Sequence, residues 1–135
     1  YCLAVKGGDD SNFTPLQMRR CAPTPAQVFR IDWDGRLRSQ ISAQAQRPST
    51  CVEMDPEFGI FVHSACRDTW TILPTSDQAS DLSRVVVRNN GDELCIVADL
   101  GGDESTVMND GTPVTRGECG SGSLRAEFSV VSVEN

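Results

Sequence analysis

Lysine and histidine are almost missing from this chain of 135 residues: Lys6 and His63 stand alone against eleven arginines. Acidic residues outnumber basic ones 19 to 12, giving a net charge of -7, and the longest basic run is Arg19-Arg20. Such a chain repels phosphate backbones, which argues against nucleic acid as a partner. Aromatics make up only 6% of the residues, so the core is expected to be aliphatic. No apolar run approaches the ~18 residues that a membrane-spanning helix needs. No leader-like segment opens the chain, so Tyr1 is expected to follow a processing event or to begin an excised module.

Catalytic and metal-binding patterns are equally sparse. There is no Cys-x-x-Cys, and His63 has no second histidine, which argues against zinc. Gly-x-Ser-x-Gly is absent and His63 has no evident nucleophile beside it, so an enzyme is not expected. The acidic stretches Asp9-Asp10 and Asp99 to Glu104 lack the order of a calcium loop and read as solvated turns. Neither a metal nor a cofactor is therefore expected.

Helical patterns are also scarce. The best candidate, Ser39 to Gln46, is short and has no firm apolar face. Strand signals dominate instead, in Val85-Val86-Val87, Ile60-Phe61-Val62 and Val130-Val131. Asp34-Gly35, Asn90-Gly91 and Asp110-Gly111 are turn dipeptides, and seven prolines puncture the remainder.

What the chain does have is six cysteines. Cys2, Cys51 and Cys95 each open a short apolar run, and they recur 49 and then 44 residues apart. Cys21, Cys66 and Cys119 each precede a stretch with an aromatic residue: Phe29, Trp70 and Phe128. Such a period means three copies of one unit, each too small to bury a core alone. We read one domain over 1–135, with repeats of about 1–46, 47–90 and 91–135. In each repeat strand one carries the first cysteine and strand two precedes the second. Strand three carries the aromatic, and strand four follows a turn, as in Arg36-Leu37-Arg38 and Arg84 to Val87. The third repeat stops at Asn135, so its last strand is expected to be missing or a stub. Three four-stranded repeats point to an all-β fold, a β-trefoil. Six cysteines favour an oxidising compartment. The sequon Asn12-Phe13-Thr14 agrees, because Asn12 can be glycosylated only in a secretory route.

This pattern resembles the ricin-B-type, or R-type, lectin domain. The residues that carry the likeness are Cys51-Val52-Glu53-Met54-Asp55, Gly59 to Val62 and Cys66, with looser echoes at Tyr1 to Val5 and Leu94 to Asp99. Gln27-Val28-Phe29 is similar to the family's Gln-x-Trp, with Phe in place of Trp. The resemblance spans nearly the whole chain. It implies a β-trefoil with one disulfide per repeat: Cys2–Cys21, Cys51–Cys66 and Cys95–Cys119. Sequence alone allows fifteen pairings. Each local bridge would stabilise by roughly 3 kcal/mol in the chain-entropy model.

The resemblance also implies glycan binding, of galactoside type, at an aspartate two residues after each first cysteine. Those positions hold Ala4, Glu53 and Val97, so at most the second repeat keeps a site. Its expected carbohydrate-binding residues are Glu53, Phe61, His63 and Asp68. Trp70 is expected in the core. Trp33, at the Asp32-Trp33-Asp34-Gly35 turn, is either a ligand or partner contact or a cap on the barrel. The reading is a secreted lectin-like binding module. The alternative is an extracellular structural or assembly protein, pairing with another copy of itself through an edge left open by the short third repeat.

Overall fold

The computed structural model describes residues 1–41, 50–75, 84–100, 108–119 and 128–129. Ten strands run through them: β1 (Cys2–Val5), β2 (Thr14–Arg19), β3 (Phe29–Ile31), β4 (Leu37–Ser39), β5 (Cys51–Asp55), β6 (Gly59–His63), β7 (Trp70–Pro74), β8 (Val85–Asn89), β9 (Cys95–Ala98) and β10 (Thr112–Gly117). The helices among these residues include the two single 3-10 turns Lys6–Gly8 and Pro25–Gln27. Most of the short helical candidate at Ser39 to Gln46 lies outside the described residues, and Ser39 itself ends β4.

Each first cysteine begins a strand that pairs with the next in an antiparallel hairpin: β1 with β2, β5 with β6, β9 with β10. The second strands of these hairpins gather together. Thr14 and Pro15 of β2 pair with Val62 and Phe61 of β6, while Gln17 and Met18 of the same strand pair with Pro113 and Thr112 of β10. Two further hairpins, β3–β4 and β7–β8, hang from this assembly at equivalent points. Arg38 pairs with Cys51, and Arg88 pairs with Cys95. The repeat is therefore physical as well as textual.

Strand alternation explains where the core sits. The first and third residues after each leading cysteine face inward: Leu3 and Val5, Val52 and Met54, Ile96 and Ala98 all join one cluster. Leu16, Met18, Ile60 and Val62 of β2 and β6 complete it. The three strand-three aromatics meet this cluster as expected, Trp70 within it and Phe29 and Phe128 against it. Trp70 is the largest fully buried side chain, and its indole Nε1–H donates to the Val52 carbonyl at 2.9 Å.

Three disulfides close the repeats with the pairing implied by the resemblance: Cys2–Cys21, Cys51–Cys66 and Cys95–Cys119, with Cα separations of 5.0, 5.1 and 5.2 Å. No free cysteine exists. Not all the prolines break strands, contrary to expectation. Pro15 and Pro113 are the second residues of β2 and β10, and Pro74 is the last of β7. Near a strand end the missing N–H costs little. The expected short last strand of the third repeat lies outside the described residues, and the described Phe128 before it bridges Val85.

Truncating the central aromatic tests this arrangement. Trp70→Ala removes core volume contributed to all three repeats, and should cost about 3–5 kcal/mol in chemical denaturation.

Candidate functional site

The structure brings the expected carboxylates of repeat two together and bonds them to nearby donors. Glu53 stands opposite Phe61 in the β5–β6 ladder, so both project from one face of the hairpin, as do the paired Cys51 and His63. Glu53 is only 5% exposed. Its two carboxylate oxygens accept the backbone N–H groups of Arg67 at 2.9 Å and Asp68 at 2.8 Å. Asp68 returns the contact, since its Oδ2 accepts the Met54 N–H at 2.8 Å and the Asn89 amide at 3.0 Å. The two acids thus stitch β5 to the segment after Cys66, beside the Cys51–Cys66 bridge. Sugar hydroxyls were the expected partners of these oxygens; in the fold both Glu53 oxygens accept backbone N–H groups, and Asp68 Oδ2 accepts a backbone N–H and the Asn89 amide.

Phe61 also departs from expectation, being 5% exposed beneath other rings. Phe13, at φ 71°, places its ring 5.3 Å from Phe61, 4.8 Å from Phe58 and 4.9 Å from His63. A bulky residue in the left-handed region costs on the order of 1–3 kcal/mol, which the ring contacts and the Phe13 N–H bond to the Val62 carbonyl at 2.8 Å offset. His63 is half-buried, and its Nδ1 accepts the Ala65 N–H at 2.9 Å, which leaves Nε2 as the ring donor. Sequence reading overlooked Phe13 and Phe58. They lie far apart in the chain, and Phe13 announces its turn only through the polar residues before it.

A different feature is presented to solvent. Trp33, at the tip of the β3–β4 hairpin, is 99% exposed, so it does not cap the barrel. The tip is held on every side. Asp32 N–H donates to the Arg36 carbonyl at 2.9 Å and Gly35 N–H to the Asp32 carbonyl at 2.9 Å, with Gly35 at the φ of 88° that the turn requires. Arg30 and Arg38 both bond the Asp32 carboxylate, and Arg36 bonds Asp34 at 2.7 Å. Arg36 Nε also donates to the Cys66 carbonyl at 2.7 Å, and the Trp70 N–H donates to Gly35 O at 2.7 Å. The hairpin of repeat one is therefore docked on the segment of repeat two that Glu53 and Asp68 secure. The spacing Arg30, Asp32, Asp34, Arg36, Arg38 was the available signal: alternate residues across a tight turn share a face.

These pairs leave an electrostatic mark. The Arg38 hydrogen bond holds the Asp32 carboxyl below the usual carboxylate range; partial burial opposes this, and the Arg30 charge adds to it. Burial pushes Asp34 up, but the Arg36 N–H and guanidinium outweigh it and the net shift is downward.

Repeat one offers a cleft of about 340 Å³ where Ala4 takes the place of Glu53. Arg19, Arg20, Gln27 and Asp110 also line it. Gln27 is committed to the backbone, accepting the Ala22 N–H at 2.8 Å and donating to the Arg20 carbonyl at 3.0 Å, and Asp110 accepts the Arg20 N–H. Among the described residues no aromatic lines the cleft. No group of three or more metal-ligating side chains occurs among the described residues.

The chain is similar in structure to a designed three-fold symmetric protein, ThreeFoil, with a TM-score of 0.71 and 14% identity over 97% of this chain and 90% of that one. No protein-family model matches, and no curated protein matches. At that identity the likeness establishes the fold, a β-trefoil with one disulfide in each repeat-sized segment.

Two measurements follow from the geometry. Glu53→Ala leaves two backbone donors without acceptors and should lower stability by about 3 kcal/mol in chemical denaturation. For Asp32 the folded carboxyl binds its proton less readily than the unfolded one. Its contribution is complete above the ordinary aspartate range near pH ~4 and is lost as the pH falls through the lowered value. Asp32→Asn should flatten that part of the acid unfolding curve.

Proposed function

We propose that this chain is a secreted carbohydrate-binding module, a binder rather than an enzyme, whose sugar contact is the face of Trp33. The observation that carries the reading is an indole exposed to 99% on a braced hairpin. A pyranose ring has an apolar face that stacks on an aromatic plane, and its hydroxyls need polar groups at the rim. Arg30, with a side chain 73% exposed, lies on the same hairpin, and exposed Arg67 lies in the segment on which it docks. An aromatic on a braced backbone binds at lower entropic cost than one on a mobile loop. On this reading the contact lies at the border of repeats one and two, away from buried Glu53 and half-buried Asp68. The resemblance to R-type lectins supports galactosides as the first sugars to try. Three disulfides with no free cysteine fit an oxidising compartment. Among the described residues no helix is long and apolar enough to cross a membrane.

The alternative role, an assembly surface, draws on Ile31, which is exposed on the same hairpin two residues before Trp33. One experiment separates the two. Glycan-array screening followed by calorimetry with the best ligand should show a Kd at least ten-fold weaker for Trp33→Ala, a loss usual for an aromatic anchor. Binding that survives the substitution removes the Trp33 site. A shift in sedimentation with no sugar response favours assembly.

A further inference from the structure

The aromatic cluster around Phe13 is left unused by that reading, and it adjoins the chain's single Asn-x-Ser/Thr sequon, Asn12-Phe13-Thr14. Phe13 and Phe58 are 49% and 52% exposed, while Phe61 below them is buried. Two half-exposed rings side by side form an apolar platform. The platform and the sequon are tied to the same short stretch of chain. Phe13 N–H bonds the Val62 carbonyl, its ring lies against His63, and Asn12 Oδ1 accepts the Ser64 N–H at 2.9 Å.

That last bond is compatible with modification of Asn12. The carbonyl half of the amide is held by the protein, whereas Nδ2 is not among the bonded atoms of an exposed side chain. N-glycosylation uses Nδ2 alone. Nδ2 forms a bond to C1 of the first sugar of a lipid-linked diphospho-oligosaccharide. The C1–oxygen bond to the diphosphate breaks, the lipid diphosphate leaves with the bonding pair, and Nδ2 gives up one proton to a base of the transferase. Oδ1 is unchanged, so the bond from Ser64 survives in the product.

We propose that Asn12 carries an N-linked glycan whose first N-acetylglucosamine rests on the faces of Phe13 and Phe58. The glycan covers apolar surface that the fold otherwise leaves in water. The left-handed turn at Phe13 sets its ring against His63, next in the chain to the Ser64 that holds Asn12. The proposal shares only the secretory route with the function above and is independent of any ligand at Trp33.

The test uses the full chain, secreted from a eukaryotic cell line behind an added leader. Intact-mass spectrometry should show one N-glycan that peptide N-glycosidase removes, and Asn12→Gln should lack it. Deglycosylation should lower the Tm of the wild-type chain by about 4 °C. Phe58→Ala should abolish that difference. Phe13→Gly offers a second variant, because it keeps both the sequon and the positive φ while removing the ring. A disulfide-bonded secreted chain with unmodified Asn12 overturns the proposal. A glycan whose removal shifts Tm equally in wild type and both variants overturns the stacking. A change of oligomeric state in Phe58→Ala, without that loss of difference, assigns the rings to a protein partner instead.

Discussion

A repeat of about 45 residues cannot bury its own apolar face, and this constraint governs the rest of the molecule. Each repeat contributes two inward residues after its leading cysteine and one aromatic from its third strand. None of these sets closes a core alone. Brought together, they surround Trp70, whose indole N–H must still find an acceptor and finds it across the core in Val52 of β5, a strand with which β7 does not pair. The disulfides then act on units already arranged by burial. Each one ties the start of a core strand to the loop after its partner, so the core and the loops cannot move independently.

The outward position between the two core residues is where the repeats diverge. In repeat two it holds Glu53, whose carboxylate spans to the backbone of the segment after Cys66. In repeat one it holds Ala4, and a cleft stands there while Gln27 secures the equivalent segment from its other end. In repeat three it holds Val97, which packs in a separate small cluster with Cys119. The same structural need, joining a loop to a strand, is met by a carboxylate, an amide and an apolar contact in turn. Arg38 and Arg88 diverge likewise: they share a register position, yet Arg38 Nε bonds Asp32 while Arg88 Nε is buried without a hydrogen-bond partner.

The fold was legible because its signals are local and repeated. The cysteine spacing, the alternation after each cysteine and the turn dipeptides all pointed to the same strands, and the family resemblance put Trp70 in the core, where it lies. The site was much less legible. A glutamate two residues after a cysteine reads the same whether its oxygens face water or two backbone N–H groups, and only the fold of residues 66–68 decides between them. Phe61 looked like a contact because the ring of Phe13, from another repeat, was out of view. The pairing of Phe13 with Phe58 depends on how repeats one and two meet, which no local pattern encodes.

Trp33 shows how exposure and rigidity differ as physical statements. An exposed tryptophan on a loose loop would collapse onto nearby apolar surface, since burial of so large a ring is favourable. Here the backbone denies it that option. Gly35 fixes the turn, Asp32 and Asp34 are claimed by arginines from both strands, and Arg36 and the Gly35 carbonyl fasten the hairpin to repeat two. The Asp32 and Asp34 carboxylates are spent on bracing the backbone that carries the indole. In repeat two, Glu53 and Asp68 secure the very segment on which that hairpin rests. The acids first expected to touch a ligand therefore support the hairpin that carries the exposed indole.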